Sequence, residues 1–433
     1  MKIEVEIISK EMIKPSSPTP QHLRRYQLSF LDQISPPVYN PCIIFYSFQT
    51  HSELINTTNE ISHKLKKSLS DVLTKFYPLA GRLTENPFVD CNDEGIPFFE
   101  ARVKCQLHDV IQNNVPSDLN NFIPFALDYL SNLVLGVQLS IFECGGVAIG
   151  TCVSHRIADA LSSFMFIKNW SATARGDESV PPPEFVSASL FPPKNISGFN
   201  PRLGITNNNI VSKMFVFDST MIEKLRAKYG EGKSLENQKR PSRVEALSAF
   251  IWSRLVAASS QVDSRPNRVH AILHAVNLRT RIDPPLPNHS FGNLYRIAVT
   301  FPCLDTNIQS HEGLVKQMRD QISKVDKEYV RKLQEGNAHL NFITDLSEKF
   351  LKGESVTFSF TSLCWFPLYE YDFGWGKPTW VGSPPLTFNN LVVFTDTKLG
   401  DGIEAYINLD EEVMSIFESD EELLAFVSQK GLN

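Results

Sequence analysis

The chain has 433 residues, more than the roughly 250–300 that one hydrophobic core usually supports, so we expect two domains. Hydrophobic residues make up 42% of the chain and charged residues 21%, which is typical of a globular protein with large cores. The formal charge is −6 and no long run of Lys or Arg occurs, which disfavours a nucleic-acid or anionic-membrane surface.

Three further features predict a cytoplasmic protein. Residues 1–6 alternate as a strand does and carry no apolar signal-peptide core. No stretch approaches the roughly 18 consecutive apolar residues of a membrane span. Seven cysteines at irregular spacing favour free thiols in a reducing compartment.

The first half of the chain predicts a mixed α/β domain over residues 1–178. Apolar residues at every odd position of 133–141 predict a strand, and a second strand follows at 147–153 after a Cys-Gly-Gly turn. The resulting hairpin would end at Ser154 and His155. Further strands are predicted at 3–8, 42–48 and within 86–104, and helices at 61–76 and 161–176.

A segment rich in proline and asparagine, residues 179–210, has no periodicity and predicts a linker. A loop this long is unusual inside one compact domain, so we place the second domain at 211–433; the alternative is a lid over an active site. Capping boxes predict helices near Thr220 and Ser242, and a long amphipathic helix is predicted over 312–335. Strands are predicted at 211–217, 269–278, 291–301, 356–362, 391–397 and 402–408.

A histidine and an aspartate four residues apart, His155 and Asp159, are the first candidates for chemistry. His155 comes where a strand gives way to a helix, between apolar segments that would wall a dry pocket. Imidazole titrates near neutral pH, so it can take a proton from an alcohol or amine as a general base. Cys152 lies nearby, but no second ligand pair completes a metal site, and no serine or cysteine nucleophile is recognisable. Direct transfer is therefore favoured, although a lone pair of this kind is usually structural.

The second cluster, residues 371–378, reads Tyr-Asp-Phe-Gly-Trp-Gly-Lys-Pro. Glycines that alternate with aromatic residues predict a tight turn locked by ring packing. Taken alone, Asp372 has about even odds of being a turn residue that accepts neighbouring N–H groups.

Together the two clusters resemble the BAHD acyltransferases, the coenzyme A-dependent family of plants. Residues 155–159 match the HxxxD motif of that family, and residues 372–376 match its DFGWG motif letter for letter. Other stretches that resemble family landmarks are Leu-Ser-Phe-Leu-Asp at 28–32, residues 77–82, Ala-Val-Asn-Leu-Arg at 275–279 and Phe-Gly-Asn at 291–293.

The resemblance implies an α/β fold of two chloramphenicol-acetyltransferase-like domains, each a mixed β-sheet with flanking helices, and an interdomain channel. A segment near 360–380 is expected to pack with the N-terminal domain. Acyl-CoA and the acceptor would enter from opposite faces and meet at His155, with no permanently bound cofactor and no metal. His155 would deprotonate the acceptor hydroxyl, Asp159 would orient the histidine loop by pairing with Arg279, and Asp372 would be structural.

The sequence departs from the family at the expected oxyanion donor. Several relatives carry a tryptophan nine residues before the DFGWG aspartate, and its indole can donate to the tetrahedral intermediate. This chain has Leu363 there and Trp365 two residues later, which we expect on the same face of a strand. Thr361, Trp365, a water or a backbone N–H remain candidates for the donor.

A site for coenzyme A is predicted at the helix that begins near Ser242, because free N–H groups at a helix start can bind phosphate. Ser242, Arg240 and Arg243 are the candidate residues; the alternative is an ordinary capped helix with solvated arginines. His270 and His274 share one side of a strand, and we interpret them as structural.

Within the family, the chain resembles most the branch that moves short acyl groups to hydroxyls of bulky specialised metabolites. We therefore expect O-acylation from a short-chain acyl-CoA, acetyl first, to an alkaloid, terpenoid or naphthoquinone alcohol, by a monomer and without a covalent enzyme intermediate. Two alternatives stay open. One is a hydroxycinnamoyl transferase that acts on phenolics or amines, and the other is a catalytically silent binding relative.

Overall fold

The computed structural model describes residues 3–48, 54–206, 210–230, 239–263, 269–302, 311–335, 338–352 and 355–428. Cys303 lies outside these ranges, and the six cysteines inside them are free thiols. No helix in the described part of the chain is long and apolar enough to cross a membrane.

Strands and helices alternate along the described residues, as the sequence predicts for a mixed α/β protein. The strands are β1 Val5–Ile13, β2 Arg25–Gln27, β3 Tyr39–Tyr46, β4 Arg82–Leu83, β5 Phe88–Asp90, β6 Ile96–Val103, β7 Leu135–Phe142, β8 Val147–Ser154, β9 Ile210–Phe217, β10 Val269–Asn277, β11 Tyr295–Thr300, β12 Ser355–Ser362, β13 Trp380–Gly382, β14 Leu391–Asp396 and β15 Ile403–Asp410. The helices are α1 Phe30–Gln33, α2 Leu54–Lys75, α3 Leu107–Asn113, α4 Ala160–Arg175, α5 Ser187–Leu190, α6 Ser219–Lys228, α7 Arg243–Val262, α8 His311–Ser323, α9 Lys327–Glu335, α10 Ala338–Leu351, α11 Glu411–Phe417 and α12 Glu421–Leu424.

The chain divides into two compact units, and each contains one six-stranded sheet. Unit 1 comprises residues 1–202, 286–294 and 366–387, and unit 2 comprises residues 203–285, 295–365 and 388–433. Two short segments from the second half of the sequence thus belong to unit 1. The domain limits predicted from the sequence and the channel between domains stay predictions.

The sheet of unit 1 has the strand order β1-β6-β7-β8-β3-β13, and a small sheet, β2-β5-β4, accompanies it. The hairpin predicted from the alternating pattern is present, since β7 pairs antiparallel with β8 and Leu135 lies opposite Val153. All eight residues of β8 are buried, as expected for a strand with neighbours on both sides. The hairpin therefore delivers Ser154 to the end of an internal strand.

Helix α4 begins six residues after β8 ends. Its N-cap is Asp159, whose Oδ1 accepts the N–H of Ser162 at 2.8 Å. Its C-terminus is closed by Gly176 in the left-handed conformation, at φ 74°. Buried Trp170 donates its indole N–H to Ser68 of α2 at 3.1 Å. The segment between β8 and α4 is consequently held at both ends by buried elements.

The sheet of unit 2 has the order β11-β10-β12-β14-β15-β9. Strands β10, β12 and β14 run parallel, so their carboxyl ends lie at one edge of the sheet. A continuous hydrophobic core packs one face of this sheet against α6, α7, α8 and α11. The start of α7 and the carboxyl ends of β10, β12 and β14 therefore belong to the same unit.

Two predicted helices differ from the structure. The capping box predicted at Thr220 is wrong, because Asp218 caps α6 and accepts the N–H three residues later at 2.8 Å. The prediction of a single helix over 312–335 is wrong, because the structure has two helices there, α8 and α9. Asp326 lies in the break and caps α9 through the N–H of Tyr329 at 2.8 Å, which starts a new helix.

The strand predicted over 291–301 is shorter in the structure. It begins at Tyr295, and residues 291–294 belong to unit 1 instead of continuing the sheet of unit 2. The position of this short segment decides the geometry of the site described next. Helix α10 is an element that the sequence patterns did not predict.

Candidate active site

The first residue after β8 is His155. Its backbone N–H donates to the carbonyl of Val38 at 2.8 Å, which fixes the start of the loop. The side chain is half-buried, and Nδ1 lies 3.0 Å from Oδ1 of Asn293. The imidazole is therefore oriented by a residue 138 positions away in the sequence.

The partners of Asn293 assign the tautomer of this imidazole. Nδ2 of Asn293 donates to Oδ1 of Asp32 at 2.8 Å and to the carbonyl of His155 at 2.8 Å. Both of those groups are acceptors, so the NH₂ group faces them and the amide oxygen faces the imidazole. An amide oxygen only accepts, so Nδ1 carries the proton and Nε2 is unprotonated. Nε2 is the basic nitrogen.

Asp32 holds the amide of Asn293 in place. It is fully buried in the capping box of α1, where the N–H and the hydroxyl of Ser29 donate to Oδ2 at 2.8 and 2.7 Å. The backbone N–H of Asn293 adds a bond to Oδ1 at 3.0 Å. Burial raises the pKa of Asp32, and the donors from Ser29 and Asn293 oppose that rise.

Only a glycine fits at position 292. Its φ of 134° lies in the region that L side chains rarely adopt, and an added Cβ would lie 2.7 Å from the Cβ of Ser187. The hydroxyl of Ser162 donates to the carbonyl of Gly292 at 3.0 Å, which joins this loop to the first turn of α4. The glycine thus lets residues 291–294 approach the histidine loop closely.

Asp159 is buried and holds two segments together. Its Oδ1 caps α4, and its Oδ2 accepts the N–H of Leu294 at 3.1 Å. The role in orienting the histidine loop that the sequence predicts for Asp159 stays a prediction. Its predicted pairing with Arg279 stays a prediction; Arg279 is buried and donates from its backbone N–H to Oδ1 of Asn277 at 3.0 Å.

The surroundings favour the neutral form of His155. Burial lowers the pKa of His155 below its usual 6.5, and the charge of Asp159 and the bond to Asn293 oppose this only in part. A neutral imidazole with Nε2 unprotonated is the form that can accept a proton at neutral pH.

The DFGWG motif forms a closed turn around Asp372. Its Oδ1 accepts the N–H groups of Gly374 at 2.7 Å and Gly376 at 2.9 Å. Both glycines have φ near 100°, which no other residue adopts without strain. Partial burial acts to raise the pKa of Asp372, but the two N–H donors and the charge of Arg175 outweigh it and lower that pKa.

Aromatic rings complete the turn. Phe373 stacks on Trp375 at 5.5 Å between centroids and meets the edge of Trp170 at 5.0 Å. Arg175, at the end of α4, donates to the carbonyl of Asp372. The motif is therefore tied to the helix that follows the histidine loop.

We expect Asp372→Ala to lower stability and activity together. The variant loses an acceptor for two N–H groups, and bonds to a charged group are worth about 1.5–3 kcal/mol each, reduced here because Asp372 is only half-buried. A fall in Tm of roughly 2–10 °C should appear in a thermal melt beside the turnover assay. Asp372→Asn keeps an acceptor oxygen, so its Tm and its turnover should fall less than those of Asp372→Ala. A variant that melts like the wild type yet shows no turnover would contradict a structural role.

The comparisons with known proteins cover nearly the whole chain. The profile of the family described as "Transferase family" matches residues 3–424. Stemmadenine O-acetyltransferase of Catharanthus roseus is 39% identical over 428 residues, which cover 97% of this chain and 97% of that protein. Limonoid 21-O-acetyltransferase of Melia azedarach is 36% identical over 98% of this chain and 99% of its own length.

A solved structure matches as well. The crystal structure of vinorine synthase superposes with a TM-score of 0.84 at 35% identity, over 99% of this chain and 100% of that chain. The chain belongs to the BAHD acyltransferases. The fold, the two motifs and the named relatives agree on this family.

In this BAHD acyltransferase the three candidate residues for coenzyme A already have partners. The capping box predicted at Ser242 is confirmed, with the Glu245 N–H donating to its hydroxyl at 3.2 Å. Arg243 pairs with Asp396 at 2.7 Å, and Arg240 pairs with a glutamate of α6 at 2.9 Å. Phosphate binding by these residues stays a prediction.

The two oxyanion candidates lie in different settings. Thr361 is half-buried on β12, and that strand ends one residue later. Leu363 and Trp365 both lie beyond it, so the prediction that they share one face of a strand is wrong. Trp365 has a left-handed backbone at φ 71°, and its N–H is held by Asp396 at 2.6 Å. Its ring is 81% exposed and faces the guanidinium of Arg243 at 4.7 Å. An indole this exposed is a poor donor in a pocket that excludes water.

The sequence patterns missed two residues that orient the histidine, Asp32 and Asn293. Both lie inside stretches that resemble family landmarks, residues 28–32 and 291–293, but no spacing connects them to His155. The available signal was an unexplained Asp and an unexplained Asn in these two stretches.

Proposed function

We propose that this acyltransferase moves a short acyl group, acetyl first, from acyl-CoA to a hydroxyl of a bulky plant metabolite such as an alkaloid or terpenoid alcohol. The observation that carries the proposal is the tautomer of His155, with Nε2 unprotonated because Asn293 accepts from Nδ1. The names of the two relatives given above describe O-acetyl transfer, one of them to a limonoid.

The reaction needs one base and no covalent enzyme intermediate. Nε2 of His155 takes the hydroxyl proton as the acceptor oxygen bonds to the thioester carbon. The tetrahedral intermediate then collapses, the carbon–sulfur bond breaks, and the thiolate of coenzyme A takes the proton from the imidazolium. General-base help of this kind contributes about 10²–10⁴ in rate.

The other site residues take supporting roles in this proposal. Asp159 orients the histidine loop, and Asp372 stabilises the turn that is tied to α4. Thr361 is the better of the two side-chain candidates for the oxyanion donor, because Trp365 is exposed. Coenzyme A is expected near the start of α7, where Ser242, Arg243 and Arg240 lie.

The oligomeric state of the protein and its location in the cell are also part of the proposal. Action as a monomer is supported by the fact that one chain supplies His155, Asn293 and Asp32. Location in the cytoplasm is supported by the free thiols of the six described cysteines. The partners are acyl-CoA and a small-molecule alcohol, with no nucleic acid and no membrane.

The proposal is tested by incubating the purified protein with acetyl-CoA and a plant metabolite extract. One compound should gain the mass of an acetyl group, and parallel incubations with coumaroyl-CoA should give less product. The His155→Ala variant serves as the control for non-enzymatic transfer. Preference for coumaroyl-CoA would favour a hydroxycinnamoyl transferase, and the absence of transfer from either donor would contradict the function.

A further inference from the structure

The segment that the sequence predicts as a linker, residues 179–210, is bonded to other parts of unit 1 along residues 184–194. We call residues 184–194 the strap; they lie in unit 1 and include α5. Three prolines precede the strap at 181–183, and two lie inside it at 192–193. Proline fixes the backbone angle φ, so a chain of this composition keeps one path more readily than a glycine-rich linker does.

The first half of the strap bonds to the segment that carries Asn293. The backbone N–H of Glu184 donates to the carbonyl of His289 at 3.0 Å, and the carbonyl of Glu184 accepts the N–H of Phe291 at 2.8 Å. These two bonds form a parallel β-bridge between the strap and the segment. The backbone that leads into Asn293 is therefore paired with the strap on both sides of one residue.

Ring packing strengthens the same junction. The ring of Phe185 meets three other rings edge to face, Tyr26 at 5.4 Å, Tyr77 at 5.1 Å and Phe291 at 5.5 Å between centroids. Edge-to-face pairs at these separations are favourable beyond the apolar area that they bury. Phe185 thus holds the side chain of the residue two positions before Asn293.

The second half of the strap bonds to α1, the helix that carries Asp32. The N–H of Phe30 is one of those that a helix start leaves without a partner inside the helix, and it donates to the carbonyl of Phe191 at 2.9 Å. At the other end of α1, Nε2 of Gln33 donates to the carbonyl of Lys194 at 2.9 Å, and Oε1 accepts the N–H of Lys194 at 2.8 Å. The strap therefore bonds to both ends of this four-residue helix.

We propose that the strap is a positioning element for the catalytic base, because it holds α1 and residues 289–293 together and so keeps Asp32 and Asn293 aimed at His155. The inference rests on the proposed function, which makes His155 the base. It assigns Phe185 and Gln33 as positioning residues that act through Asn293 and Asp32.

The need for such an element follows from the sequence positions. Asp32 and Asn293 bond to each other although they lie 261 positions apart, and each belongs to a short segment. A third segment that bonds to both removes their freedom to move relative to each other. Burial of Ser187 and Phe191 in the strap favours this role over that of a lid, since elements that open have few buried contacts.

The test replaces the aromatic anchor of the strap. For Phe185→Ala we expect kcat to fall about 10-fold while the Kd for coenzyme A stays near the wild-type value, because the base is misplaced but present. Nitrogen NMR of labelled histidine should show part of the His155 proton moved from Nδ1 to Nε2. Phe185→Leu keeps apolar bulk at this position and should recover most of the lost kcat.

A matched control separates this effect from a loss of packing. Phe426 is a half-buried phenylalanine of unit 2 whose ring meets Phe250 edge to face at 5.0 Å. Phe426→Ala should lower the Tm and leave both kcat and the histidine signal unchanged.

A double-mutant cycle shows whether the strap acts through Asn293. In the Asn293→Ala background the further substitution Phe185→Ala should lower kcat by less than about 2-fold, because the contact that it positions is already lost. A thermal melt of each variant checks that the fold is kept. If Phe185→Ala does not fold, Gln33→Ala takes its place in the cycle, since it removes both bonds to Lys194 from a half-buried side chain.

Two results would overturn the proposal. A lower Tm with a wild-type kcat and histidine signal would make the strap merely structural, and equal losses of kcat in both backgrounds would mean that Phe185 acts apart from Asn293. The histidine signal needs no turnover, so it also distinguishes this proposal from the proposed function. If the wild type transfers no acyl group, the proposed function fails, while the strap is still judged by whether Phe185→Ala moves the proton.

Discussion

Replacement of His155 by alanine is expected to lower kcat by about 10²–10⁴. The reason is that Nε2 is the nitrogen that the network of Asn293 and Asp32 leaves unprotonated. The half-buried side chain lies after the end of β8, so its removal should leave the strand and α4 intact. The measurement is the rate of free-thiol release from acetyl-CoA with the true acceptor, followed with a thiol reagent.

The pH profile gives an independent check on the same base. Burial lowers the pKa of His155, so the base should stay unprotonated at pH 7 and become protonated only below about 6.5. The value of kcat/KM should therefore be constant near neutrality and fall as the pH drops through that lowered pKa. The residual rate of His155→Ala should lack this acid limb, while the Kd for coenzyme A stays unchanged. Unchanged thiol release in the variant would show that another group is the base.

The periodic elements of the fold could be predicted from the sequence because burial imposes a repeat on them. The alternation over 133–141 and the apolar run over 147–153 placed a hairpin that the structure contains. Asp159 stood four residues after His155 at the start of a helical pattern, and it is the N-cap of α4. These features depend on neighbours in the sequence, which one chain is enough to show.

The orientation of the imidazole could not be predicted in this way. Asp32 and Asn293 reach His155 from loops that are far apart in the sequence, and neither loop repeats a pattern. The segment at 291–294 has apolar residues that read as the start of a strand, yet its bonds to Asp159 and Ser162 hold it in unit 1. Tertiary contacts outweighed local preference there.

The backbone conformation of Trp365 is a second feature that the local sequence could not predict. The sequence predicts Trp365 on a strand, because no local pattern indicates that its backbone adopts the left-handed conformation. The backbone is held by Asp396 on β14, and the ring by the guanidinium of Arg243. A non-glycine residue in this conformation persists only where its surroundings fix it, and those surroundings come from other strands and helices.

Asn293→Ala is expected to lower kcat by about 10–10²-fold without removing the base itself, because Asn293 is a positioning residue. Without the amide oxygen, Nδ1 of His155 loses its acceptor, so the proton is free to occupy either ring nitrogen and the ring is free to turn. The variant also leaves buried Asp32 without the Nδ2 donor of Asn293, which costs about 1–3 kcal/mol of stability, while the backbone N–H at position 293 still donates to Asp32.

A readout of the tautomer separates this role from a loss of stability. In the wild type, nitrogen NMR of labelled histidine should show His155 protonated at Nδ1 near pH 7, and in Asn293→Ala the signal should move towards protonation at Nε2. Asn169→Ala is the matched control: it removes a buried amide of α4 that donates to the carbonyl of Met165. That variant should lose stability while its histidine signal stays unchanged.

The partner of Asn293 provides the decisive variant. In Asp32→Asn the charge that holds the Asn293 amide is lost, and the amide becomes free to turn its NH₂ group toward Nδ1 of His155. A donor facing Nδ1 would force the proton onto Nε2 and abolish the base, so kcat should fall in this variant although His155 and Asn293 are both present. A wild-type kcat in both Asp32→Asn and Asn293→Ala, with the proton still on Nδ1, would mean that a different contact sets the tautomer of His155.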